Sequence, residues 1–130
     1  MASLRKIKFL RQIALLKDMD NTLLALLADI MILKRVDRDN YLCKEGESAN
    51  ECFIIGHGSI DIFTGKGKAE QYLTTIGPCS VVGEVSLIDG QKRSASIKCK
   101  TDVSVFVLKR DDFNQMLHSG NKASMKLLDN

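Results

Sequence analysis

The sequence has no long apolar run. Its most hydrophobic stretch, Leu23 to Leu33, is broken by Asp29 and falls well short of the roughly 20 residues that cross a bilayer, so no transmembrane helix is expected. A secretory leader is missing too: Arg5, Lys6 and Lys8 precede apolar residues, but Arg11, Lys17 and Asp18 cut the patch short and no small-residue cleavage site follows. The chain therefore reads as cytoplasmic. Charge of one sign is scarce. Lys and Arg number 19 against 16 Asp and Glu, a net charge of +3, and the two signs are interspersed, which leaves no electrostatic footprint for nucleic acid. An anionic partner has to be met at a local site. No two of the four cysteines (Cys43, Cys52, Cys79, Cys99) lie close together, their spacings being 9, 27 and 20, which excludes a zinc knuckle and a redox CxxC pair. Without a leader, free and mostly buried thiols are expected in place of disulfides.

Catalytic signatures are equally absent. There is no GxxxxGK[ST] phosphate loop, and Gly65-Lys66-Gly67 lacks the third glycine and the strand-to-helix setting of a dinucleotide fingerprint, so it reads as a hairpin tip. No GxSxG elbow occurs. The two histidines, His57 and His118, have no acid or cysteine at ligand spacing and read as surface residues. Neither an enzyme nor a metal site is expected.

What remains is an ordinary globular composition. The chain has 130 residues, 45% hydrophobic and 27% charged, enough for one core but hardly two. From Asp20 to Met31 the residues Leu23, Leu24, Leu26, Leu27, Ile30 and Met31 recur at spacings of three and four, which predicts an amphipathic helix with Asp20 as its N-cap. The period then changes. Segments at Met31–Val36, Tyr41–Lys44, Cys52–Ile55, Ser59–Thr64, Gln71–Ile76, Ala95–Lys100 and Val103–Leu108 are short, β-branched and apolar, and are separated by turns such as His57-Gly58, Gly77-Pro78 and Asp89-Gly90. Six to eight strands of a sandwich or barrel follow. Helical patterning returns after Asp111 and Asp112, with Phe113, Met116 and Leu117 on one side, and again over Asn121 to Leu128. The order helix, strands, helices predicts one α+β, mainly β, domain over residues 1–130. Its helical part covers about 1–30, its strands about 31–109 and its C-terminal helices about 110–129.

Chemistry concentrates in Gly77 to Cys99. Alternation places Ala95, Ile97 and Cys99 on one side of a strand and Ser94, Ser96, Lys98 and Lys100 on the other, and Arg93 shares the parity of the apolar set. A guanidinium pointing inward needs an anion. By periodicity alone that anion is either Glu84, as a structural ion pair, or a ligand phosphate suited to a planar fork of donors. The neighbours favour a phosphate. Gly83 allows backbone amides to approach an anion where Val85-Ser86-Leu87-Ile88 can form a helical turn, and Ser94 adds a hydroxyl. A carboxylate beside an anion site wants its own donor, which a sugar hydroxyl supplies, so Glu84 with Arg93 suggests a nucleotide read at ribose and phosphate together.

Gly83-Glu84-Val85-Ser86-Leu87-Ile88, followed by Arg93-Ser94-Ala95-Ser96, strongly resembles the phosphate-binding cassette of the cyclic nucleotide-binding domain family. The resemblance extends over nearly the whole chain. It takes in the helix capped by Asp20, Lys44-Glu45-Gly46-Glu47, Phe53-Ile54-Ile55 to Gly58, Gly77-Pro78, and Val107-Leu108 running into Arg110-Asp111-Asp112-Phe113. It implies an eight-stranded antiparallel β-roll flanked by an N-terminal helix and C-terminal helices, with cyclic AMP or cyclic GMP as ligand and no further cofactor. Arg93 would pair with the cyclic phosphate and Glu84 would accept from the ribose 2′-hydroxyl. Gly83, Ser94 and Ala95 would complete the cradle, with Val85 and Ser86 in the same cassette. Val82, Cys79 and Lys92 depart from the family's usual large apolar residue, glycine and proline at those positions.

The function implied is a regulatory sensor that signals through its C-terminal helices to a protein partner or effector domain. The alternative is an interaction scaffold that keeps the roll without a ligand. No helix-turn-helix pattern follows the strands, so neither DNA nor a membrane is an expected partner. The short C-terminal segment predicts a monomer or a weak homodimer.

Overall fold

A computed structural model describes residues 4–13, 16–65, 67–83, 92–116 and 118. Two helices lead the chain, α1 (Leu4–Arg11) and α2 (Asn21–Ile30). Asp20 caps α2 as its sequence position predicts: its carboxylate accepts from the Thr22 amide at 3.1 Å. That bond satisfies one of the donors a helix start leaves open. The eight strands are β1 (Ile32–Val36), β2 (Tyr41–Cys43), β3 (Glu51–His57), β4 (Ile60–Thr64), β5 (Gln71–Ile76), β6 (Val81–Val82), β7 (Ser96–Cys99) and β8 (Val103–Lys109). They form two antiparallel four-stranded sheets, ordered β1-β8-β3-β6 and β2-β7-β4-β5. This is the expected β-roll.

Strand β3 explains why the roll holds together. Cys52, Phe53, Ile54 and Ile55 are all buried, so both of its faces are covered. Phe53 and Ile55 turn into the roll with Ile60, Val82, Ile97, Val103, Val105 and Val107. Cys52 and Ile54 turn the other way, onto Leu10, Leu24, Leu27, Ala28, Leu108 and Met116. Helix α1, whose basic residues gave no sequence signal beyond a failed leader, belongs to this second layer through Leu10. Burying a Leu or Ile side chain removes it from water for about 1.5–3 kcal/mol, and this double use of β3 welds the helical layer to the roll.

The Gly65 to Gly67 tip joins β4 to β5 through a single 3-10 turn at Gly67–Ala69, as read from the glycines. Residues 110–116 are helical and run directly off β8. The anticipated helical turn at Val85–Ile88 and the helix over Asn121–Leu128 lie outside the described residues, as does Leu117.

Candidate functional site

Arg93 is 6% exposed, yet it does not sit on a strand. β7 begins three residues later, at Ser96, and residues 94 and 95 form a bend. The inward direction inferred from strand parity is therefore right for a different reason. The Arg93 amide donates to the Glu47 carbonyl and the Gly46 amide donates to the Arg93 carbonyl, both at 2.8 Å. These bonds clamp the Arg93 backbone to the turn between β2 and β3. Cover from the same turn changes one expectation: Ser96, on the face of β7 opposite Ile97 and Cys99, is buried. Its hydroxyl accepts from the Glu45 amide at 2.9 Å, which satisfies a polar side chain that would otherwise be costly to bury.

The guanidinium is surrounded. Its Nη2 donates to the Glu51 carbonyl at 2.5 Å, and its carbon lies 5.3 Å from the centroid of the Phe53 ring, a cation–π geometry. Gly83, at φ +77°, closes the remaining side. A Cβ at that position would press on Arg93 Nη1 and displace the guanidinium, so both backbone conformation and close approach favour glycine. The structure thus brings Gly83 and Arg93 together. Ser94 is exposed and Ala95 half-buried, with the Ala95 carbonyl 3.8 Å from Cys43 Sγ. Glu84, Val85 and Ser86 lie outside the described residues.

Arg93 lines a cavity of about 470 Å³ with Leu42, Cys43, Glu47, Ser48, Asn50 and Glu51, a volume within the range that holds small ligands. Sequence reasoning missed all six of these companions. The turn Lys44-Glu45-Gly46-Glu47 was visible as a turn, but nothing local showed that it folds against a residue 46 positions later. Burial pushes the Cys43 thiol above its usual range, an effect partly offset by the Arg93 charge. Cys43 is therefore a neutral thiol in the cavity wall. The lining offers a fixed cation, the Ser48 hydroxyl, the Asn50 amide and the carboxylates of Glu47 and Glu51.

One departure noted in the sequence has a geometric counterpart. Cys79 holds φ at +66°, the left-handed region where glycine is at ease and a Cβ is not. It is kept there by bonds to β3, its amide donating to the Ile55 carbonyl at 2.8 Å while the Ile55 amide donates to the Ser80 carbonyl at 2.9 Å.

Two antiparallel sheets closed into a roll, with a buried arginine beside a positive-φ glycine at a cavity, define the fold and its candidate site. Residues 33–119 match the family model of the cyclic nucleotide-binding domain, and the chain belongs to that family. Human cGMP-dependent protein kinase 2 is 31% identical over 110 residues, covering 82% of this chain and 14% of that protein. The cAMP-dependent protein kinase regulatory subunit of Emericella nidulans is 28% identical over 109 residues, 84% of this chain and 26% of that one. The chain thus spans a minor part of the length of these relatives. Among solved structures, a cyclic nucleotide-binding domain from Methylobacillus flagellatus superposes with a TM-score of 0.77 at 29% identity, covering 95% of this chain and 72% of that one. The regulatory domain of Toxoplasma gondii PKA, crystallised with cAMP, shares the fold with a TM-score of 0.81 at 22% identity, covering 97% and 49%.

Proposed function

We propose that this domain is a sensor of a 3′,5′-cyclic nucleotide, cyclic AMP or cyclic GMP, with no catalytic activity of its own. The observation that carries the reading is the Arg93 guanidinium, buried at the cavity wall with Gly83 against it. A planar fork of donors suits a cyclic phosphate. Glu84 would accept from the ribose 2′-hydroxyl, while Ser94 and Ala95, with Gly83, Val85 and Ser86, complete the cradle. Calorimetry with cyclic AMP, cyclic GMP and the two 5′-monophosphates tests this. Saturable heat with at least one cyclic nucleotide is expected; no heat with either at millimolar concentration would leave the scaffold as the reading.

That second reading has an observation in its favour. The guanidinium is already held by the Glu51 carbonyl and the Phe53 ring, and Glu47 and Glu51 place two acidic residues around the same cavity. A roll so built is self-sufficient without a ligand.

In the sensor reading, output runs through the C-terminal segment. Residues 110–116 continue from β8, Met116 is buried with the α1 and α2 residues, and Phe113 packs on the same cluster. Nucleotide binding would reposition the segment from Asp111 to Leu128 over the pocket and present it to a protein partner, an effector domain or a second copy; Leu117, Met125, Leu127 and Leu128 of that segment lie outside the described residues. The thiols of Cys43, Cys79 and Cys99 are free, which suits a reducing compartment, and we place the domain in the cytoplasm. Among the described residues no helix is long and apolar enough to cross a membrane.

A further inference from the structure

Three consecutive residues of the turn between β2 and β3 each hold one point around Arg93. The Glu45 amide donates to the Ser96 hydroxyl at 2.9 Å, the Gly46 amide to the Arg93 carbonyl at 2.8 Å, and the Glu47 carbonyl accepts from the Arg93 amide at 2.8 Å. The turn is closed from within by the Glu47 carboxylate, which accepts from the Lys44 amide at 2.6 Å. The Glu45 carboxylate also accepts from the Gly65 amide at 3.3 Å, which ties the turn to the hairpin tip after β4. Ser96 is 5% exposed, lies outside the cavity lining, and is the only anchor of this turn on β7 among the described side-chain bonds.

We infer that Ser96 is a positioning residue for the phosphate-reading arginine, a role that rests on the nucleotide reading above. Arg93 stands outside the regular ladder of β7, so its backbone direction is set by the turn and not by the strand. The turn in its turn is registered against β7 by the buried Ser96 hydroxyl. Without that acceptor the Glu45 amide loses its partner, residues 45–47 gain freedom, and the two bonds that orient the Arg93 backbone loosen together. The guanidinium then samples directions that a bidentate phosphate contact cannot use, and affinity falls although no cavity residue has changed. A threonine preserves the acceptor; a valine has the same shape and none.

The test compares Ser96→Thr with the isosteric Ser96→Val, and adds Ser96→Ala, by two measurements. Amide exchange in the ligand-free protein reads positioning directly. In Ser96→Val and Ser96→Ala the Gly46 and Arg93 amides should exchange about tenfold faster or more while the β3 and β8 amides keep their rates, and Ser96→Thr should match wild type. Calorimetry with cyclic AMP and cyclic GMP reads the consequence, about three- to tenfold weaker binding for the valine and alanine variants and rescue by threonine. In an Arg93→Ala background, adding Ser96→Val should weaken the residual binding no further. Unchanged exchange at Gly46 and Arg93 would overturn the role, as would loosened amides with unaltered affinity. If wild type binds neither nucleotide, the nucleotide reading fails on its own and the exchange comparison still decides whether Ser96 orients Arg93.

Discussion

Arg93 joins sequence and structure at the level of a single side chain. Its burial was legible because a charged residue in an apolar register needs an explanation, and its partners were not, because the Glu47 carbonyl, the Glu51 carbonyl and the Phe53 ring come from 40 or more positions away. Arg93→Ala should weaken cyclic nucleotide binding by roughly 2–5 kcal/mol, since a desolvated phosphate would lose its counter-charge. Arg93→Lys should also bind poorly, because a point charge cannot reproduce the fork. Titration calorimetry checks both, and either variant binding within about threefold of wild type, roughly 0.7 kcal/mol, contradicts the role. Cys79 offers a second test at this scale. Holding φ +66° with a Cβ costs roughly 1–2 kcal/mol, so Cys79→Gly should leave stability unchanged or slightly higher despite the lost packing. A β-branched Cys79→Val should lower it by about 1–2 kcal/mol or more. Urea unfolding of the three proteins gives the order directly.

Among the elements, α2 was the most legible, because its stripe and its cap are both local. Asp20→Ala should cost about 1 kcal/mol through the lost bond to the Thr22 amide, seen as a lower urea midpoint with an unchanged slope. All seven predicted strands fall within two residues of their observed ends at both sides, among them β5 at Gln71–Ile76 and β8 at Val103–Lys109, since alternation is also local. Strand β6 escaped because two residues, Val81 and Val82, carry no period; only their pairing with Ile54 and Phe53 makes them a strand. Alternation held within β7, where Ile97 and Cys99 point into the roll, but it carries no information on what covers the opposite face, and there the turn at residues 45–47 buries Ser96. The strands at two sheet ends carry features of both signs, for each exposes apolar residues, Ile32 and Leu33 on β1 and Tyr72 and Leu73 on β5. β1 presents Lys34 and Arg35, both exposed, and in β5 Leu73 falls at a register shift between the Phe63–Tyr72 and Ile62–Thr74 pairs. Charges and irregularities of this kind blunt an open edge.

For the whole molecule, the helical layer and the roll share β3 and β8, which supports a mechanical link between the cavity and the C-terminal segment. Hydrogen exchange with and without nucleotide should show added protection over Gly83 to Ala95 and a change over Asp111 to Leu128. Protection confined to the first region would mean that the ligand binds without moving the proposed output. For the monomer or weak homodimer that we propose, sedimentation at increasing concentration should show at most a gradual rise in mass.

The amino-acid order by itself determined whatever depends on near neighbours: the capped α2, the strand and turn succession, the hairpin tip at Gly65 to Gly67, and a Gly83 and Arg93 pair too pointed to be surface decoration. Resemblance to one family then implied the closure of those strands into a roll. Tertiary structure alone decided what depends on the return of the chain upon itself. The turn at residues 45–47 has no local reason to meet Arg93, nor has Ser96 a local reason to be buried. Both follow from β2 and β7 pairing edge to edge, which brings two segments some 50 positions apart into hydrogen-bond range and makes a clamp from residues that, read singly, are a turn and a serine.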